Sequence, residues 1–376
     1  MNKAASVAIG VGIAAAIIVA VIALAQSNPS VIENESPTQP TMIPQPQTSK
    51  IKIVASFYPL YEFSKNIAGD NADVSMFIPV GIEPHDWEPS IGDLVTLKES
   101  DVFVYNGVGM EPFVDKLIDS GEYSNLLFVE TTNGIELIET EEHSGEEEHS
   151  GEEEHSGEEE HSGEEEHSGE EEHSGEEEHS GEEEHSGEEE HSGEEEHAHK
   201  FPYDPHVWLD PILAKEQVMI IKDALIKVDA DNAQYYEDNA NAYSAKLDEL
   251  DSKIRTELSS CNKDTIVPFH NAFSYFGNRY GIKTQALSGL APESEATARD
   301  LKEIIDFVKE NQIKIIFAEE LVDPKLAQVL ADEAGAQILV LSPLEGITVE
   351  EQENGTSYIQ KMEENLKNIK VALECQ

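Results

Sequence analysis

Cysteine is nearly absent from this chain of 376 residues. Cys261 and Cys375 are the only two, too few and too far apart for a structural zinc cluster. They are either idle thiols or, in an oxidising compartment, a bridge closing about a hundred residues and contributing roughly 4 kcal/mol through loop entropy. Bases are scarce too: 24 Lys and Arg stand against 78 Asp and Glu, a formal charge of −54. That field repels nucleic acid and anionic lipid and draws cations in, so DNA and RNA partners are excluded. No Gly-x-Ser-x-Gly nucleophile motif occurs, which weighs against a serine hydrolase. Long apolar runs are confined to one place, residues 4–25, where AASVAIGVGIAAAIIVAVIALA follows Lys3 without a charge.

Those 22 residues make about 33 Å of helix, enough to cross a bilayer. As a span, with Lys3 on the cytoplasmic side, the run is a transmembrane anchor that leaves the rest outside. Its end, Ala23-Leu24-Ala25, also fits a signal-peptide cleavage site. No cysteine follows it, which excludes a lipid anchor of the bacterial lipoprotein kind. Both readings put the protein outside the cytoplasmic membrane, either attached by its N-terminal helix or secreted. Residues 26–50 are mostly Pro, Ser, Thr, Gln and Asn, with prolines at 29, 37, 40, 44 and 46, and read as a disordered tether.

From residue 51 the pattern becomes that of a folded α/β chain. Short apolar or β-branched runs at 51–56, 73–79, 101–106 and 126–130 alternate with helix-length segments, and Ser90 with Asp93 resembles a capping box. Alternation of this kind predicts a parallel sheet covered on both faces, the first βα lobe, over 51–230. Asp210 and Pro211 open a helix to 228 as cap and first residue. A long helix then links the lobes over 231–260, with Tyr236, Tyr243, Leu247, Leu250, Ile254 and Leu258 on one face as packing surface. Runs at 265–269, 282–287, 313–318 and 337–342 rebuild the alternation as a second βα lobe over 261–376, with a helix near 296–310. Ligands of such sheets bind at the carboxyl ends of strands, here the cleft between lobes.

Histidine is what the chain has in quantity. Nine perfect HSGEEE units run from His143 to Glu196, so 27 of the negative charges belong to this tract alone. Histidine recurs every six residues at His143, His149, His155, His161, His167, His173, His179, His185, His191 and, directly after the last unit, His197, with His199 two positions later. Only His85, His206 and His270 remain elsewhere, each at a turn or strand end and none in an apolar helical stripe. A lone histidine in such a place is commonly structural. Three at similar edges, in a chain with eleven more in one tract, point instead to a shared ion. Neutral imidazole suits Zn²⁺, Cu²⁺ and Ni²⁺ and serves Ca²⁺ or Mg²⁺ poorly. Three imidazoles and one further ligand complete a tetrahedral zinc shell.

GIEPHDWEPSIGDLVTLKESDVFVYNGVGMEPF, DPHVWLDP, FHNAFSYFGNRYGI and IIFAEELVDPKLAQVLADEAGAQILVL, in that order, resemble the ZnuA-like family of zinc and manganese substrate-binding proteins of ABC transporters. The resemblance covers nearly everything from residue 51 onward. It implies two βα lobes with parallel sheets joined by one long rigid helix, a metal site in the interlobe cleft, no enzymatic activity, a membrane permease as partner, and ligands at His85, His206 and His270. Two departures stand out. Where many relatives have Leu-Asp-Pro-Leu this chain has Ser342, and where some have Glu before the first ligand it has Pro84, with Glu83 the nearest acid. The fourth ligand is then water, Glu83 or a loop group. His270, where manganese relatives usually carry Glu, favours Zn²⁺ over Mn²⁺ as the ion carried.

A helix through HSGEEE would include a glycine in every unit at about 1 kcal/mol each and would stack like charges. The 139–200 segment is therefore expected to be a disordered loop of the first lobe, its repeats spanning about 40 Å. Its weak sites can raise the local metal concentration near the cleft, or it is a tandem duplication that the fold tolerates. The main expectation is an extracytoplasmic, monomeric receptor that passes Zn²⁺ to an ABC-type importer. A receptor for manganese or another transition metal, or a surface adhesin or metal buffer of the same fold, is the next reading. A zinc hydrolase or hydratase follows, since three histidines and water also form a catalytic shell. Glu319 and Glu320, the acids of the AEE triplet, read as structural.

Overall fold

The computed structural model describes residues 50–85, 87–140, 202–292 and 297–376. The apolar run 4–25, the tether up to residue 49 and the histidines from His143 to His199 lie outside them. The described residues from Lys50 to Gln376 pack as one unit.

The first sheet begins with β1, Ile51–Ala55, and continues with β2, Ala72–Met76, β3, Val102–Tyr105, and β4, Leu127–Glu130. All pairs are parallel, in the order β2-β1-β3-β4. Parallel neighbours need a crossover, supplied by α1, Tyr58–Ala68, α2, Ile91–Lys98, and α3, Val114–Ser120. Helix α2 starts where the sequence signals it: the Ser90 hydroxyl accepts from the Asp93 N–H, and the Asp93 carboxylate accepts from the Ser90 N–H.

Asp210 caps α4, Pro211–Val228, by accepting from the N–H groups of Ile212 and Leu213, and Pro211 fills the first turn. A 3₁₀ turn at Ala230–Asn232 delays α5 to Ala233–Leu258, two residues later than its sequence pattern suggests. At 26 residues it is about 39 Å long. Tyr236, Tyr243, Leu247, Leu250 and Ile254 are buried along one side. Through that side α5 packs on α1 and α4 of the first half, and on α6, Ser274–Tyr280, and α10, Tyr358–Ala372, of the second.

The second half contains β5, Thr265–Ile266, β6, Lys283–Thr284, α7, Ala298–Glu310, β7, Ile315–Ala318, α8, Lys325–Ala334, β8, Gln337–Val340, and α9, Val349–Asn354. Its strands are shorter than the apolar runs suggest. Strand β5 stops before Pro268, which has no N–H to give a ladder. Parallel pairs β5-β6 and β7-β8 are joined by the Phe317 N–H donating to the Val267 carbonyl at 2.9 Å. The two pairs are separate two-stranded sheets, and this bond sets them side by side. One continuous core runs from Ile53 and Val104 through Trp208 and Leu247 to Phe317 and Leu366. A Cys261–Cys375 disulfide ties the end of α5 to the C-terminus.

Candidate metal centre

The loops at strand ends converge on one point. His85 lies between β2 and α2, His206 just before the 3₁₀ turn Val207–Leu209 that leads into α4, His270 in the loop after β5, and Glu345 in the loop after β8. All four side chains are buried, His85 and Glu345 at 4% and 3% exposure and the other two at 0%. One oxygen of Glu345 lies 3.3 Å from His85 Nε2, 3.0 Å from His206 Nε2 and 3.1 Å from His270 Nε2, and the last two nitrogens are 3.3 Å apart. Donor atoms about 2.0–2.1 Å from a tetrahedral zinc stand about 3.3–3.4 Å from one another. Four of the six donor separations therefore match such a shell or fall slightly inside it, and all of the donor atoms lie within 4.8 Å of one another.

Buried acids hold two of the rings from behind. Asp204 Oδ1 accepts from both the backbone N–H and Nδ1 of His206, at 2.9 and 2.7 Å. Glu319 Oε1 does the same for His270, at 3.2 and 2.7 Å. An imidazole that donates through Nδ1 presents the Nε2 lone pair inward, so these carboxylates select the tautomer and fix each ring plane.

The electrostatics follow from the same contacts. Burial opposes a charged His270, but Glu319 and Glu345 outweigh it and raise its pKa well above the ordinary imidazole value. His206 is raised too, its desolvation overcome by Asp204 and Glu345. Burial would lift Glu345, yet His270, His85 and the hydrogen bond from His206 hold it well below the usual carboxylate range. Protons and a divalent cation thus compete for one small pocket.

The loops are locked together across the two halves. The Gly81 N–H donates to the Ile347 carbonyl at 3.0 Å. The Ile82 carbonyl would stand only 3.3 Å from a Cβ at position 346, so Gly346 allows the His85 loop to lie directly on the Glu345 loop. Trp208 Nε1 donates to the Pro343 carbonyl at 2.7 Å, and the Tyr358 hydroxyl to the Trp208 carbonyl at 2.6 Å.

The structure brings together His85, His206 and His270 and adds Glu345, which the sequence reading missed. It corrects the place given to Glu83. That carboxylate turns back on its own loop, where Oε2 accepts from the His85 N–H at 3.0 Å, and Glu345 takes the fourth corner. Glu345 lies three residues beyond Ser342, in the same SPLE stretch, so the motif pointed to the right loop and the wrong residue. Asp204, two positions before His206, and Glu319, read from sequence as structural, are the rings' partners. The ends of the tract's segment meet nearby: the Thr140 N–H donates to the Pro202 carbonyl at 3.2 Å, and the Asp204 N–H to the Ile138 carbonyl at 2.9 Å. Eleven histidines, His143 to His199, lie outside the described residues.

Comparison with known proteins gives a consistent picture. Residues 53–372 match the family model described as zinc-uptake complex component A, periplasmic. The high-affinity zinc uptake system protein ZnuA of Bacillus subtilis is 37% identical over 324 residues, covering 86% of this chain and 88% of that protein. The zinc-binding lipoprotein AdcA of Streptococcus pneumoniae is 36% identical over 322 residues, 85% of this chain but 55% of its own longer one. The crystal structure of the Zn(II)-bound ZnuA-like domain of that AdcA superposes with a TM-score of 0.64 at 33% identity, covering 86% of this chain and 99% of that one.

Proposed function

The chain belongs to the ZnuA family of zinc-uptake components, and from that premise we propose that it takes Zn²⁺ as cargo on His85, His206, His270 and Glu345 and passes it to an ABC-type permease. The observation that carries this reading is the single carboxylate oxygen within 3.3 Å of three buried imidazole nitrogens. Three nitrogens and one oxygen suit zinc better than the hard, oxygen-preferring Mn²⁺. Closure of the fourth corner by Glu345 argues against catalysis, since a catalytic zinc keeps an open position for water. The protein is a carrier and not an enzyme.

Release is favoured by acid, because each ligand must lose its proton to bind. We place the carrier outside the cytoplasmic membrane as a monomer held by residues 4–25. The family description as periplasmic supports the compartment, and among the described residues no helix is long and apolar enough to cross a membrane. The HSGEEE tract is assigned as a low-affinity collector. Its support is chemical, imidazole with carboxylate, and positional, since the bounding segments join beside Asp204.

Titration of the ectodomain with Zn²⁺ and Mn²⁺ tests the proposal. One tight zinc site, lost on His85→Ala, His206→Ala or His270→Ala, is expected; tight one-to-one binding in all three variants would overturn the site. Deleting residues 143–196 should lower zinc stoichiometry and slow uptake at scarce metal, and unchanged values for both would remove the collector role.

A further inference from the structure

Among the described residues four non-glycines have positive φ, and one of them, Leu344, immediately precedes Glu345. Its φ is 59° and its side chain is fully buried. A leucine in the left-handed region is strained and persists only when its surroundings enforce it. The enforcing contacts come from Ser342. Its hydroxyl accepts from the Leu344 N–H at 3.1 Å and donates to Glu320 Oε1. That oxygen also takes the ammonium of Lys361 at 2.6 Å, a lysine only 2% exposed. The backbone on either side of the hydroxyl is clamped as well: Ser342 N–H donates to Asn365 Oδ1 at 2.9 Å, and Asn365 Nδ2 donates to the Ser342 carbonyl at 2.6 Å.

We infer that Ser342 is the positioning residue for the fourth zinc ligand, holding Leu344 in its left-handed turn so that Glu345 points into the cluster of imidazoles. The inference rests on the reading of Glu345 as a ligand. Lys361 orients the Glu320 carboxylate, which accepts the hydroxyl's hydrogen bond, and this turns a lone pair of Ser342 toward the Leu344 N–H. Without the hydroxyl that N–H is buried with no acceptor, and the turn relaxes toward the broad right-handed and extended regions. Such relaxation carries the Glu345 carboxylate away from the three nitrogens.

The test is a mutant cycle read by chelator competition for Zn²⁺ on the whole ectodomain. Ser342→Ala should weaken zinc by about 10- to 100-fold, the usual cost of losing a ligand's outer partner. In a Glu345→Ala background the same change should shift affinity by no more than about threefold, because coupled residues are non-additive. Ser342→Thr restores the hydroxyl and should restore affinity. Leu344→Gly, which accepts positive φ freely, should keep native affinity and rescue Ser342→Ala. Leu344→Val, β-branched and intolerant of that φ, should lose affinity like Ser342→Ala, and decides the matter should Ser342→Ala fail to fold. Equal losses with and without Glu345, or native affinity in both Ser342→Ala and Leu344→Val, would overturn the positioning role. Native affinity in Glu345→Ala alone would instead remove the ligand reading beneath it.

Discussion

Each half of the molecule buries a carboxylate in the loops at the carboxyl edge of its sheet, and the two are surrounded differently. Glu111, beyond β3, meets only neutral donors: the Ser56 hydroxyl at 2.6 Å and the N–H groups of Asn106 and Gly107 at 2.9 and 3.0 Å. Desolvation dominates there, and its pKa is pushed up to about 7. Glu345, beyond β8, meets three imidazoles and is held well below the ordinary range. Equal burial therefore yields opposite acids. The carboxylate that fastens a turn carries its proton near neutrality, whereas the one ringed by basic nitrogens stays charged and is suited to share a cation. Nearness to a sheet edge does not separate structural from functional acids; the charge of their neighbours does.

The largest effect that sharpens this contrast is on zinc affinity. Glu345→Ala should cost more than the roughly 100-fold typical of an outer partner, while Glu111→Gln leaves affinity within about threefold. A substantial loss in the second variant would break the comparison. Next is the pH dependence of folding. Because the Glu111 pKa is raised on folding, its stabilisation is fully present below the unfolded carboxylate range and lost as pH rises through about 7. The loss amounts to about 3 kcal/mol at most from the size of that shift. Denaturant melts from pH 5 to 8.5 should show this decline as the difference between the parent and Glu111→Gln, in which the pH dependence of zinc binding cancels.

A smaller effect concerns the second half's own cation. Lys361→Met leaves Glu320 and Glu351 without the ammonium they share at 2.6 and 2.7 Å. Both acids are partly exposed, so the cost is about 2 kcal/mol, below that of breaking a fully buried pair, and is read from the same melts. Smallest are the ring partners: Asp204→Asn and Glu319→Gln should each weaken zinc by about tenfold, toward the low end for such contacts, because an amide oxygen still accepts from Nδ1. Affinities equal to the parent would mean that ring orientation comes from backbone packing alone.

Acid should also weaken zinc binding. The raised pKa values of His206 and His270 mean that zinc displaces protons held above the ordinary imidazole range. Below neutrality affinity should then fall by about tenfold per pH unit for each proton displaced. Direct titrations at pH 5.5, 6.5 and 7.5 measure the slope, and a flat profile would contradict the competition.

Much of the frame was legible because its signals are local. The Ser90–Asp93 box, the Asp210-Pro211 start of α4 and the stripe from Tyr236 to Ile254 depend on neighbours within a few positions, and the structure has them. Strand lengths were less legible, since β5 and β6 end where ladder partners end, and partners lie elsewhere in the chain. Glu345 was hidden for a related reason. Nothing in Ser-Pro-Leu-Glu announces a left-handed leucine, which exists because Asn365, Glu320 and Lys361, from other elements, enforce it.

By itself the sequence determined the alternation of strands and helices, the acidic field that favours cations, and the three isolated histidines at strand ends. Periodicity, charge and side-chain chemistry are properties of residues and their near neighbours. Only the tertiary structure decided which carboxylate joins those rings and which acids stand behind them. Coordination depends on distances of about 3 Å between groups as far apart in sequence as His85 and Glu345, and only the packing of two halves around one helix sets such distances.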